Sequence, residues 1–157
     1  PLLWALVAAI VPCLALNLPP AKLFMGDVGA VPLGFIAAVL GIGGFAAGVW
    51  PAWFPLLVFL PFLADASVTL VLRLARGASI WKAHREHFYQ KLVQLGLGHR
   101  GTLVLYGSLM FGTAASGLSA LVRAPASGPV LLVLWSAVMA LLLGAIGYHW
   151  RAKGHTV

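Results

Sequence analysis

Long stretches without a charged residue alternate with short basic interruptions along this chain. The uncharged runs are residues 1–21, 28–64, 101–122 and 124–150. A hydrocarbon core about 30 Å thick takes about 20 apolar residues in helix, so each run can cross one. Run 28–64 would extend roughly 55 Å as a single helix and must therefore turn back. The turn is written at Gly48-Val49-Trp50-Pro51-Ala52-Trp53-Phe54-Pro55. Its two prolines remove backbone donors, and its two tryptophans suit a headgroup-level belt. The pattern predicts an all-α, polytopic membrane helix bundle with five spans, at 2–16, 31–49, 53–74, 103–122 and 130–150. The loops at 17–30 and 75–102 join them on one side.

Composition agrees with this pattern. Of 157 residues 62% are hydrophobic and 8% charged, where a soluble domain carries about 25% charged residues. That excludes a soluble enzyme, a disordered tail and a disulfide-stapled secreted module. The single cysteine, Cys13, lies within an apolar run. Ten Lys and Arg face three acids, Asp27, Asp65 and Glu86, for a net charge of +7. Nucleic acid is not the expected partner, because the basic residues sort by loop. Nine of the ten fall in loop 17–30, in or beside loop 75–102, or in the tail, and only Arg123 lies on the other side. The positive-inside rule makes the nine-residue face cytoplasmic and anionic lipid its neighbour. The chain begins at Pro1 without a basic leader and reads as part of a longer protein. Gly44-x-x-x-Gly48, Gly112-x-x-x-Ser116 and the pair Gly144 and Gly147 are expected helix-packing surfaces.

Chemistry is expected at the polar, cytoplasmic side, in three clusters. The first holds Lys22 and Asp27 in the approach to the second span. Asp27 can serve as a helix N-cap, or, between Gly26 and Gly29, hold a hard cation such as Mg²⁺ together with substrate phosphates. Lys22 is a phosphate contact or a plain positive-inside residue. The second is Asp65, an ionisable group within the third span that must face a partner or a watery cavity. Asp65, Thr69 and Arg73 recur at i, i+4 and i+8 on one helical face, and Pro61 should loosen that helix. The third is loop 76–100. Trp81, Phe88, Leu92 and Leu95 form a narrow apolar stripe of a short interfacial helix ended by Gly96. His84, His87 and Lys91 share one flank and Arg85 the other. Such residues suit phosphoryl oxygens, although a basic surface facing lipid headgroups has the same composition. A zinc site lacks ligands. Tyr106, Arg123 and Trp135 read as packing or boundary residues, and His149 and His155 as interface residues.

Phe24-Met25-Gly26-Asp27-Val28-Gly29-Ala30, a glycine-rich span, a span with Pro61 and Asp65, and His84-Arg85-Glu86-His87-Phe88-Tyr89-Gln90-Lys91-Leu92 together resemble a known group. It is the polyprenyl-phosphate N-acetylhexosamine-1-phosphate transferases of glycosyltransferase family 4, which include phospho-MurNAc-pentapeptide translocase and the O-antigen-initiating transferases. The resemblance implies transfer of an N-acetylamino-sugar-1-phosphate from a UDP-sugar to undecaprenyl phosphate, with release of UMP, for cell-envelope polysaccharide. It implies a bacterial inner membrane location with the active face cytoplasmic, and Mg²⁺ as cofactor. Asp27 takes the role of metal ligand or its essential neighbour. Arg85 and His87 take the roles of contacts to the sugar-nucleotide phosphates, with His84, Lys91 and Lys22 as further phosphate contacts. Tyr89 and Gln90 stand where relatives have further histidines, and Ala30 replaces the commoner Ser. The likeness covers roughly the C-terminal half of a family member. The D-D-x-x-D motif would precede Pro1, so the chain is expected to be inactive by itself. Membrane lipids and a second copy of the chain are further partners compatible with this reading. The rival reading is a non-enzymatic membrane module or transporter segment with Asp65, beside Arg73, as an intramembrane coupling residue.

Overall fold

A computed structural model of the chain describes residues 2–18, 21–22, 25–79 and 86–154. Most of these residues are helical, with no strand among them. The chain divides into two units, 1–47 and 48–157.

The first unit holds α1 (Leu2–Asn17) and α2 (Gly26–Ala46). Between them the Lys22 amide donates to the Leu16 carbonyl at 2.8 Å. The second helix begins at Gly26, beside Asp27, where a helix start is expected from the sequence. Gly26 enters it at φ +58°, a left-handed conformation open to glycine at little cost. The Met25 side chain folds over Gly29, where any Cβ would collide with it. These two glycines thus shape the start of α2. Its outer surface is apolar, with Val28 91% and Phe35 69% exposed, as a surface facing lipid requires.

The second unit holds α3 (Trp53–Val58), α4 (Leu60–Ala75), α5 (Phe88–Leu92), α6 (Gly98–Arg123) and α7 (Gly128–Ala152). The third predicted span is broken at Phe59, whose φ and ψ are −94° and 4°. Pro61, second residue of α4, has no amide hydrogen to continue the ladder. Bonds from the Phe59 amide to Pro55 O (3.1 Å) and from the Leu63 amide to Phe59 O (2.9 Å) bridge the break. A π-helical turn, Val93–Leu97, leads into α6. Gly96 (φ +111°) and Gly98 (φ +70°) make the bend between α5 and α6, so the predicted stop at Gly96 is a real change of direction. Among the described residues Gly26–Ala46, Phe88–Arg123 and Pro125–Ala152 are long and apolar enough to cross a membrane. Helix α1 falls short at 16 residues, and the Phe59 break divides the remaining span.

Three contact zones hold the second unit together. Trp53 lies directly on Gly128, where a Cβ would displace its ring, and Gly117 receives Leu57 and Phe54. Further along, Trp135 Nε1 donates to Ser116 Oγ at 3.0 Å, and that hydroxyl donates to the Gly112 carbonyl at 2.7 Å. A Cβ on Gly112 would stand 2.8 Å from the Trp135 ring, so the predicted Gly112-x-x-x-Ser116 surface is where α6 meets α7. At the opposite end Phe88, Met139, Leu143 and Ile146 form the apolar core. There Lys153 Nζ ties the end of α7 to the Leu95 carbonyl at 3.1 Å. The end of α4, all of α5, the start of α6 and the end of α7 therefore gather in one region, which holds Asp65, Arg73, His87 and Lys91 among its polar side chains.

Candidate functional site

Asp27 stands in the first turn of α2, exposed to solvent. It is not the N-cap: Met25 holds that position and offers no capping side chain. The carboxylate makes no hydrogen bond or ion pair among the described residues. It lies near the positive end of the helix dipole, which favours a negative charge there. Lys22 is also exposed, in the bend before α2. The preceding Phe24 lies outside the described residues. No group of three metal-ligating side chains occurs among the described residues, so Asp27 offers a cation one carboxylate. That fits Mg²⁺, which takes one or two carboxylates and fills its shell with phosphate and water oxygens.

In the second unit the organising residue is Asp65, 3% exposed on α4. Its Oδ1 accepts from the Thr69 hydroxyl (3.3 Å) and the Phe88 amide (3.0 Å), and lies 3.2 Å from His87 Nδ1. Its Oδ2 accepts from the Tyr89 amide (2.9 Å) and the Tyr106 hydroxyl (2.7 Å). The Phe88 and Tyr89 amides are the first two of α5, groups with no partner inside their own helix. A carboxylate delivered from another helix caps them. His87, the N-cap residue of α5, donates its own amide to Gln90 Oε1 at 3.3 Å. Its ring stacks on Tyr89 at 5.8 Å, and Tyr89 meets Tyr106 edge to face at 6.2 Å. The intramembrane acid expected to need a partner thus has several. Tyr106 is a site residue that sequence reasoning assigned to packing.

Arg73 shares the Asp65 and Thr69 face, as the i, i+4, i+8 spacing required, but its guanidinium finds other partners. It pairs with Glu86 and donates to the Ser79 carbonyl at 2.5 Å, while Arg76 holds the second Glu86 oxygen at 2.7 Å. Glu86 is clamped by two arginines one residue before His87. No Asp65–Arg73 ion pair forms among the described residues. Lys91 is 5% exposed, its ammonium 4.5 Å from the Phe88 ring centroid and 5.8 Å from that of Trp150, a cation–π arrangement. With Arg151 it lines a groove of about 420 Å³ whose walls include Val68, Leu72 and Leu143. Trp81, His84 and Arg85 lie outside the described residues.

The class defined by these helices is an all-α membrane helix bundle. The model of glycosyl transferase family 4 matches residues 1–45. The chain is also 28% identical, over 103 residues, to a probable undecaprenyl-phosphate N-acetylglucosaminyl 1-phosphate transferase of Bacillus subtilis (strain 168). That alignment covers 64% of this chain and 29% of the relative, so the chain spans less than a third of the relative's length in the match. No solved structure matches. The two findings support glycosyl transferase family 4, the family that the sequence resembles.

Proposed function

We propose that the chain is part of a bacterial membrane enzyme that transfers an N-acetylamino-sugar-1-phosphate from a UDP-sugar to undecaprenyl phosphate. A phosphate oxygen of the lipid attacks the β-phosphorus of the sugar nucleotide. The bond from that phosphorus to the oxygen bridging the two phosphates breaks, UMP leaves, and a lipid-linked diphosphosugar remains. Such a reaction asks a protein mainly to position phosphates and to offset their charge.

The observation that carries this reading is Asp27: an exposed carboxylate without a structural partner among the described residues, at a glycine-shaped helix start within the stretch matched by the family. A residue with no packing role in that place is suited to a ligand. Asp27 would hold a Mg²⁺ ion, which when bound supplies positive charge to the diphosphate. His87, Arg85, His84 and Lys22 would contact phosphoryl oxygens from the cytoplasmic side. Lys91, packed between two aromatic rings, is less suited to reach a phosphate than His87, whose side chain is 29% exposed.

The transporter alternative asks Asp65 to take up and release a proton or an ion. A carboxylate that caps α5 and holds Tyr106 would have to give up those contacts in every cycle, which argues for a fixed anion. The test is Asp27→Asn in the full protein, supplied with UDP-N-acetylglucosamine and undecaprenyl phosphate. Loss of Mg²⁺-dependent UMP release is expected, and unchanged turnover would overturn the proposal.

A further inference from the structure

We infer that the groove between α4 and α7 holds an anionic membrane phospholipid, with its phosphate at Lys91 and Arg151 and one acyl chain along α7. Asp65, His87, Tyr89 and Tyr106 do not line this groove. It is therefore a second surface, and its occupant does not depend on the reaction proposed above.

Lys91 is 5% exposed, yet its ammonium makes no hydrogen bond or ion pair among the described residues. Its contacts are the Phe88 and Trp150 rings. The acid nearest in sequence, Glu86, is already held by Arg73 and Arg76. An ammonium carries three donors, and a buried charge left without an acceptor is costly. Arg151, exposed near the end of α7, also has no side-chain hydrogen bond or ion pair among the described residues. Both cations line the groove, and no acid does. A phosphate would serve both, taking Lys91 as a point charge and Arg151 through its planar fork.

Hydrocarbon makes up most of the remaining lining. Val68 and Leu72 come from α4 at i and i+4, and Ala140, Gly144 and Gly147 from α7 at i, i+4 and i+7. A Cβ on Gly144 would meet nothing within 4 Å, and one on Gly147 only the Phe88 ring at 3.8 Å. These small residues leave a trough open instead of admitting a neighbouring helix. From Ala140 to Arg151 it follows α7 for roughly 16 Å, and half of a bilayer's hydrocarbon core is about 15 Å deep. An acyl chain of one leaflet matches that length, whereas a soluble phosphate would use the charged residues alone. Beside the groove α7 is apolar and open, with Leu141 76% and Tyr148 71% exposed. Phospholipid is the solvent of such a face and fills a fitting site by mass action. The acceptor lipid of the proposed reaction has to lie beside His87, which this groove does not include.

Native mass spectrometry of the full protein, titrated in detergent with phosphatidylglycerol or with phosphatidylcholine, tests the assignment. The wild-type protein should retain one phosphatidylglycerol in preference to phosphatidylcholine. Lys91→Met and Arg151→Gln should each weaken that binding about fivefold. Lys153→Gln should not, because Lys153 bonds to the Leu95 carbonyl and does not line the groove. Gly144→Leu, which fills the trough, should weaken it as well. Lys91→Met keeps the length of the side chain and removes a buried, unpaired charge, so it should fold; Arg151→Gln, at an exposed position, reads the same contact if it does not. Equal retention of the two lipids by the wild-type protein, or an equal loss in Lys153→Gln, would overturn the inference. Undecaprenyl phosphate displacing phosphatidylglycerol one for one at lower concentration, in a manner weakened by Lys91→Met, would overturn the choice of phospholipid. No turnover enters these measurements, so a protein that releases no UMP would refute the proposed reaction and leave the lipid site standing.

Discussion

The Tyr106 hydroxyl donates to Asp65 Oδ2 at 2.7 Å, joining α6 to α4 across 41 residues of sequence. Both partners are largely withdrawn from solvent, so the bond does not compete with bulk water. Hydrogen bonds to a charged group contribute about 1.5–3 kcal/mol. Tyr106→Phe should lower stability by an amount in that range, measured by thermal unfolding in detergent. An unchanged midpoint would contradict the bond.

Asp65→Ala should cost more. It removes the cap from the Phe88 and Tyr89 amides and strands the Tyr106 hydroxyl, and loss of one member of a buried polar set costs about 3–5 kcal/mol. Hydrogen exchange should rise first at Phe88 and Tyr89. Exchange that rises uniformly along the second unit would argue against a specific cap.

Glu86→Gln addresses the clamp before His87. Arg73 is 5% exposed and Arg76 35%, so the loss should come mainly from Arg73, whose charge would then lack its carboxylate. A penalty of roughly 1–3 kcal/mol is expected, with little sensitivity to salt because the Arg73 arm is shielded. Thermal unfolding at low and high ionic strength checks both points.

Gly112→Ala tests the α6–α7 contact. The new methyl would meet Trp135 at 2.8 Å and push its indole from Ser116, and overpacking of this kind costs about 1–3 kcal/mol. Gly107→Ala, with nothing within 4 Å of its added Cβ, is the control and should leave stability unchanged.

The helical class was legible because the uncharged runs are long, and the turns because Pro51, Pro55 and Gly96 break the backbone in known ways. The start of α2 was legible at Asp27, which reads as a helix-start residue, whereas hydropathy alone does not register that Gly26 can open a helix before the apolar run begins. The break at Phe59 was foreshadowed by Pro61, but its position depends on which carbonyls find donors. The i, i+4, i+8 spacing correctly put Asp65, Thr69 and Arg73 on one face. Their partners were not legible: Tyr106 and Glu86 come from distant segments, and only packing reveals which guanidinium meets which acid. One signal was available for Tyr106, a hydroxyl-bearing aromatic within a span, which needs a hydrogen-bond partner when buried.

The two aspartates divide by role. Asp27 has no partner among the described residues, so Asp27→Asn should change stability by less than about 1 kcal/mol. Asp65 carries the architecture around His87. Thermal unfolding of the Asp27 and Asp65 variants side by side checks this division, and a large loss in Asp27→Asn would contradict it.

The central claim concerns which bond breaks. The most direct measurement is the nucleotide released when the full protein receives UDP-N-acetylglucosamine labelled in its β-phosphate, together with undecaprenyl phosphate. Attack at the β-phosphorus predicts unlabelled UMP and all of the label in the lipid product. Release of labelled UDP, or no nucleotide dependent on the lipid, would contradict the account.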